Sequence, residues 1–395
     1  MSFVKVIRGV RIFTLQGCES LASDICQELT KIMPAELREG GKLTLSEYNF
    51  VKFSNENIQV QLKDTVRGCY VVIICSQTPQ LNDNIMTLFA MLNAIKNSGA
   101  EEIFLIFPYL PYSRSDRKNK ERVSVMGQVM LGILNKYFGI EKILLLDPHA
   151  SHLKQYTSPY AEEITAMYLI GDYLRTKILD LKRPSDFLLT FPDASAKKRN
   201  ERLVDNLGLD FDYIDKIRRN DEQKVEIQKG FGPSLVRGKT CIMIDDEILS
   251  GGTACEDAEN LKGANEIILI TTHAPLITPL PPTVKMIQNL EKIEDRKELL
   301  ETAVKIIYTL SNYSLAIPFQ VDELLLKLES SNINKFVFTD SIPTITAKVK
   351  GRPKFTIISV AKLLAQAINR MLQNESITEL HDPDNVELYR PNYDE

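Results

Sequence analysis

Short runs of β-branched and large apolar residues alternate with amphipathic helical stretches along most of the chain, and this rhythm constrains the fold more than any other feature. YVVIIC (70–75) precedes the apolar-striped NIMTLFAMLNAIKNSG (84–99). EIFLIFPYL (102–110) precedes VMGQVMLGILNKY (125–137), and KILLLDPHA (142–150) precedes EEITAMYLIGDYLRTKIL (162–179). The pattern then repeats through DFLLTFPDAS (186–195), FDYIDK (211–216), TCIMIDDE (240–247) and EIILITTHA (266–274). Strands that are apolar nearly throughout are buried on both faces, which implies parallel sheets covered by helices. Two rounds of the pattern predict two α/β domains, 1–160 and 161–395, with the changeover near 158–163.

Residues 275–335 interrupt the rhythm with the Pro-rich PLITPLPPTV and a predicted helix over 290–310. Ile293, Leu300, Val304 and Ile307 form one stripe on that helix, and a further helix is expected around 321–330. The segment reads as an inserted helical excursion in the second domain, packed on that domain or on an oligomer partner; a regulatory or gating role is the alternative. FVFTDS (336–341), FTIISV (355–360) and KLLAQAINRML (362–372) resume the strand–helix pattern. The C-terminal tail, 374–395, ends in the acidic HDPDNVELYRPNYDE and is expected to be solvated or loosely docked.

A net charge of -4 argues against a broad electrostatic grip on nucleic acid, although RSDRKNKER (114–122), KKRNER (197–202) and KIRR (216–219) concentrate cations for small anions. No run reaches the ~18 apolar residues of a membrane span. The six cysteines lack CxxC spacing, so they read as buried thiols of a reducing, cytoplasmic setting.

Ligands of open α/β sheets bind beyond the carboxyl ends of the strands. Those ends read FPYLPYSRSDRK, LLDPHASH, TFPDASAKKR and MIDDEILSGGTA. In the last, three acids close an apolar run and a Ser-Gly-Gly-Thr turn opens a helix. Asp245 and Asp246 suit a ribose diol or its metal ion, and Ser250, Gly251, Gly252 and Thr253 offer bare N–H groups and hydroxyls suited to a phosphate. RGKT (237–240) imitates a P-loop, but Pro233 stands where the first glycine belongs, and a strand follows where a helix should.

These segments together resemble the ribose-phosphate pyrophosphokinases, also called phosphoribosyl pyrophosphate synthetases. The likeness runs in order through FSNENIQVQLKDTVRG (53–68), LNDNIMTLFAMLNAIKNSGA (81–100), FPYLPYSRSDRK (107–118), LLDPHASH (145–152), FPDASAKKRNERLVDNLGLDFDYIDKIR (191–218), the acid and glycine loop, and FTDSIP with ISVAKLLAQAINRMLQNESIT. The resemblance implies two type I phosphoribosyltransferase-like domains with parallel sheets and a reaction that moves the β,γ-diphosphate of ATP onto the 1-hydroxyl of ribose 5-phosphate. It implies that Phe53, Asn55 and Asn57 hold the adenine from a neighbouring subunit of a homodimer or homohexamer. Arg114, Ser115, Asp116 and Arg122 would serve the nucleotide, and His149 the nucleotide and Mg2+ together with Asp193. Lys216 and Arg218 would be the catalytic cations of a mobile loop; Asp245 and Asp246 would take the ribose hydroxyls, and Ser250 to Thr253 the 5-phosphate.

Three departures stand out. The family usually has Glu where Asn57 stands, Gly-Gly where Ser195-Ala196 stands, and often Asp where Leu249 stands. A looser 5-phosphate pocket would suit ADP-ribose as acceptor, and a non-catalytic synthetase-associated subunit is a further alternative.

Overall fold

The computed structural model describes residues 7–38, 41–76, 80–118, 120–180, 183–213, 215–218, 225–229, 233–277, 295–311, 321–322 and 324–393. The first half supplies β1 (Val10–Thr14), β2 (Tyr48–Lys52), β3 (Ile58–Leu62), β4 (Tyr70–Ile74), β5 (Glu102–Phe107), β6 (Lys142–Leu146) and β7 (Glu162–Ile164). Five of these form a sheet in the order β1-β4-β5-β6-β7, parallel throughout, while β2 and β3 make a separate antiparallel hairpin. The second half supplies β8 (Phe187–Phe191), β9 (Phe211–Tyr213), β10 (Asp215–Arg218), β11 (Val225–Lys229), β12 (Thr240–Glu247), β13 (Glu266–His273), β14 (Lys335–Thr339) and β15 (Phe355–Ile358). Its sheet is β15-β14-β13-β12-β8-β9, again all parallel, and β10 pairs with β11 as an antiparallel ribbon.

Alternation along the strands explains how the layers assemble. Ile12, Val72, Ile74, Ile106 and Leu144 face one core, and their neighbours Phe13, Val71, Ile73, Leu105 and Leu145 face another. In the second sheet Ile242, Ile244, Ile268 and Ile270 join the first of these cores, while Cys241, Met243, Ile267 and Leu269 line a third. The two sheets therefore share a central core. It is filled by α1 (Glu19–Ile32), α4 (Met167–Tyr173) and α11 (Ala361–Leu372). In α1 the buried Leu21, Ala22, Ile25, Cys26 and Leu29 recur at helical spacing, and Leu363, Leu364, Ala367, Ile368 and Met371 do the same in α11. On the outer faces lie α2 (Leu81–Asn97) and α3 (Met126–Gly132) for the first sheet, and α8 (Gly252–Glu259) and α10 (Pro343–Val349) for the second.

The sequence reading of parallel sheets buried on both faces holds. The first sheet takes in β7 before the chain crosses over, so the change of sheet falls after Ile164. FDYIDK is not one strand: it splits into β9 at the sheet edge and the start of the β10–β11 ribbon. The tail also departs from expectation, because Tyr389 is fully buried in the shared core. Arg390 binds Asp172 through two guanidinium nitrogens, and Tyr393 donates its hydroxyl to Asp172 at 2.8 Å. An aromatic pair and a two-pronged ion pair dock a segment whose composition looks solvated.

In the interrupting region, 278–294 and 312–320 lie outside the described residues, and with them Ile293. The expected helix is present as α9 (Arg296–Ser311), but Leu300 and Val304 on it are 59% and 58% exposed, so they do not pack on the domain. The helical residues 324–329 behave differently. Leu324, Leu325 and Leu328 are buried in the second sheet's outer core. Among the described residues no helix is long and apolar enough to cross a membrane.

Candidate active site

The carboxyl ends of β5, β6, β8 and β12 converge where the two sheets meet. His149 follows β6, and its Nδ1 lies 2.6 Å from Oδ2 of Asp246 near the end of β12. Arg199, at the end of α5 (Ala194–Arg199), donates from Nη2 to the other Asp246 oxygen at 3.2 Å. One carboxylate thus joins an imidazole that follows a strand of the first sheet to a guanidinium that follows a strand of the second.

The two aspartates have opposite electrostatics. Burial and a hydrogen bond shared with Asp246 push the Asp245 carboxyl well above its ordinary value. Burial works against ionisation of Asp246 too, but hydrogen bonds from His149 and Asp245 and the nearby Arg199 outweigh it and hold this carboxyl below its ordinary value. The Asp246 contact raises the His149 imidazole. Of the two carboxyls, Asp245 is the one biased toward its protonated form and Asp246 the one biased toward its ionised form.

The third acid of the run was given no role by the sequence reading. Glu247 has a buried carboxylate whose Oε1 lies 3.1 Å from Arg114 Nη1 and 3.9 Å from His149 Nδ1. Its other oxygen accepts the Tyr109 hydroxyl at 2.7 Å. Beyond it the chain turns. Gly251 adopts φ 65° and ψ 0° as the cap of α8, and Gly252 and Thr253, its first residues, carry N–H groups with no acceptor within the helix, the arrangement that receives phosphates.

The other candidates fall in several places. Ser115 pins its loop to the start of α3: its hydroxyl accepts the Met126 amide at 2.9 Å. Asp116 is buried, and its carbonyl accepts from His152 Nε2 at 3.1 Å and the Tyr156 hydroxyl at 3.2 Å. Arg122 is exposed, with a left-handed φ of 61°. Asp193 caps α5 by accepting the Ala196 amide at 2.7 Å, which engages one of its oxygens. Among the described residues no three or more His, Cys, Asp or Glu side chains gather as a metal cage. Phe53, Asn55 and Asn57 lie at the exposed tip of the β2–β3 hairpin, where Asn55 Oδ1 accepts the Asn57 amide at 3.2 Å. The backbones of Lys216 and Arg218 belong to β10; their side chains lie outside the described residues. Arg199 and Glu247 were not singled out from sequence. Arg199 lay within the cation cluster KKRNER, and Glu247 was visible only as the last residue of the acid run.

A cleft of about 690 Å3 opens beside Asp246 and Arg199, and Asp147, Lys154, Arg202 and His381 also line it. Asp147 at its edge is pushed up to about 6 by burial, partly offset by hydrogen bonds from Thr165, the Ala166 amide and Thr272.

Residues 10–137 match the family model of the N-terminal domain of ribose phosphate pyrophosphokinase, and residues 161–303 match the phosphoribosyl transferase domain. The ribose-phosphate pyrophosphokinase of Helicobacter hepaticus is 29% identical over 340 residues, covering 86% of this chain and 92% of the relative. That of Oceanobacillus iheyensis is 27% identical over 376 residues, covering 95% and 98%. Among solved structures, the fold is similar to phosphoribosylpyrophosphate synthetase from Mycobacterium smegmatis, with a TM-score of 0.69 over 93% of this chain and 99% of that one, at 23% identity.

Proposed function

We propose that this chain, which belongs to the ribose-phosphate pyrophosphokinase family, transfers the β,γ-diphosphate of ATP to the 1-hydroxyl of ribose 5-phosphate and releases AMP. The junction of His149, Asp246 and Arg199 carries this reading, because it sets a carboxylate between an imidazole and a guanidinium where the strand ends of both sheets meet.

In such a transfer the 1-hydroxyl oxygen bonds to the β-phosphorus, the bond to the α-phosphate oxygen breaks, and AMP leaves. The chemistry asks a protein for alignment and charge neutralisation more than for a covalent nucleophile. Asp246 is the acceptor for the sugar hydroxyls, and Asp245 stands beside it, its Oδ1 accepting the Asp246 amide at 2.9 Å. The turn at Ser250 to Thr253 takes the 5-phosphate on the N–H groups of α8. Arg114 and Arg199 face the transferred phosphates, and the β10–β11 ribbon carries Lys216 and Arg218 as a flap that excludes water. Magnesium, when bound, neutralises phosphate charge. His149 Nε2 and the second oxygen of Asp193 are the donors offered here, a sparse set that fits an ion keeping ligands from the nucleotide and water.

The exposed hairpin tip of Phe53, Asn55 and Asn57 reads as the adenine contact lent to a second copy, so the working unit is at least a homodimer. The crossover after β7 reads as the boundary of two phosphoribosyltransferase-like domains. The described free thiols, five of six buried, fit a reducing compartment such as the cytoplasm.

Purified protein given ATP, magnesium and ribose 5-phosphate should release AMP in a coupled assay. ADP-ribose serves as the control acceptor. No AMP with ribose 5-phosphate sinks the reading. Lys216→Ala should lower turnover by about 10²–10³ without changing the melting temperature, the scale seen when one transition-state donor is lost.

A further inference from the structure

We propose that Glu247 is a positioning residue: across the domain boundary it fixes Arg114 and the loop after β5 relative to the aspartate pair and the phosphate turn. This rests on the functional reading above and assigns that site a member that sequence reasoning passed over.

The geometry is that of a tie. Glu247 ends β12 in the second sheet, yet its contacts, Tyr109, Arg114 and His149, all follow strands of the first. Its side chain is only 4% exposed, whereas that of Arg114 is 51% exposed. A buried carboxylate is costly unless it is paired and hydrogen-bonded. Here the Tyr109 hydroxyl holds one oxygen, and the Arg114 guanidinium stands at the other. Tyr109 is itself wedged against His273, with ring centroids 4.7 Å apart, so the acceptor is anchored from behind.

For Arg114 the consequence is directional. An arginine has several rotatable bonds and five N–H donors in a rigid fork. One nitrogen stands 3.1 Å from Glu247 Oε1 as an ion pair that is not aligned as a hydrogen bond, and that buried oxygen has no other hydrogen-bond partner among the described residues. The charge therefore draws the fork toward it and leaves the other donors for an anion in the cleft. The charge of Glu247 also tempers the attraction of Arg114 for that anion, so its contribution to affinity is small and mixed in sign. Its contribution to alignment is the larger one, since misplacing a catalytic group by an ångström slows a reaction severely.

The test is a double-mutant cycle between Glu247→Gln and Arg114→Ala. Gln keeps the volume and an oxygen for Tyr109 but removes the charge that holds Arg114. AMP release by Glu247→Gln should fall about tenfold in kcat, while KM for ribose 5-phosphate stays within about twofold, because alignment is lost and the phosphate turn is untouched. In the Arg114→Ala protein the same change should alter kcat by less than about twofold. A full effect of Glu247→Gln without Arg114, or none with it, overturns the proposal while leaving the functional reading intact. If the wild-type protein binds ATP but releases no AMP, the functional reading fails. The cycle is then read on stability in urea, where effects of the two substitutions that simply add overturn the tie. A wild-type protein that binds no ATP overturns both.

Discussion

Gly251 stands at φ 65°, and a methyl group there would collide with the Leu328 side chain, which the helical residues 324–329 lay over the turn. Both conditions select glycine. A left-handed conformation costs a β-carbon residue about 1–2 kcal/mol, and the collision adds to it. Gly251→Ala should therefore lower stability by about 2–3 kcal/mol in urea titration and raise KM for ribose 5-phosphate at least about tenfold. Gly252→Ala, whose added carbon meets only Ser250 Oγ at 3.6 Å, should lower stability far less. At this scale the acid run and the glycine turn stood out because their signal is local: neighbouring residues make up the end of β12, the turn and the start of α8. Asp246 stood out as part of the acid run but not as the partner of His149, which lies 97 positions away. The bond between Tyr109 and Glu247 spans 138 positions, and no local pattern marks it. Ser115 and Asp116 show the converse, being drawn by motif toward a nucleotide while their described bonds hold a loop.

Among elements, the strands announced themselves and the tail did not. A strand buried on both faces needs apolar residues at nearly every position, so YVVIIC and KILLLD carry their own label. The tail is anchored by a few side chains set in a polar background: Tyr389 enters the core, and Arg390 and Tyr393 converge on Asp172. The exposed Leu300 and Val304 of α9 are a third kind of case, since their spacing correctly forecast a helix but carried no information on what that face meets. The tail's attachment can be measured. Arg390→Ala leaves the buried Asp172 carboxylate with the Tyr393 hydroxyl but no cation, and should destabilise by about 2 kcal/mol. Glu387, 3.6 Å from the same arginine but 79% exposed, is the control. Glu387→Ala should change the urea midpoint by less than about 0.5 kcal/mol equivalent. Equal effects would remove the Arg390–Asp172 pair from what anchors the tail.

For the molecule as a whole, the cleft keeps its shape only while the two sheets keep their relation, and His273 sits at that joint. It ends β13 in the second sheet and is fully enclosed; Nε2–H donates to the carbonyls of Leu146 at 3.2 Å and Asp147 at 3.0 Å in the first domain. Nδ1 accepts the Ser341 hydroxyl at 2.9 Å. Ser76 of the first sheet donates to the Ser341 carbonyl at 2.6 Å, so the joint is bonded from both sides. Burial lowers the His273 imidazole below its ordinary 6.5, so the unfolded chain takes up the proton first as pH falls. The stability held by His273 is then complete above 6.5 and is lost as pH falls below it. Asp147 and Asp340, each raised to about 6 by burial, act in the opposite direction: between 3.8 and 6 the folded state binds their protons more readily. His149, raised by Asp246, likewise favours the folded state until pH passes its own value. The wild-type slope is therefore a sum, and a difference isolates one contributor. His273→Gln retains an amide donor and an acceptor but cannot titrate. It should be less stable than wild type by about 1–2 kcal/mol near pH 8, from imperfect hydrogen bonds and packing. That gap should narrow by about pH 5.5, because only the wild type gives up stability to imidazole protonation on the way down. Urea unfolding across that range measures it, and a gap constant with pH would remove His273 from the acid sensitivity of the domain joint.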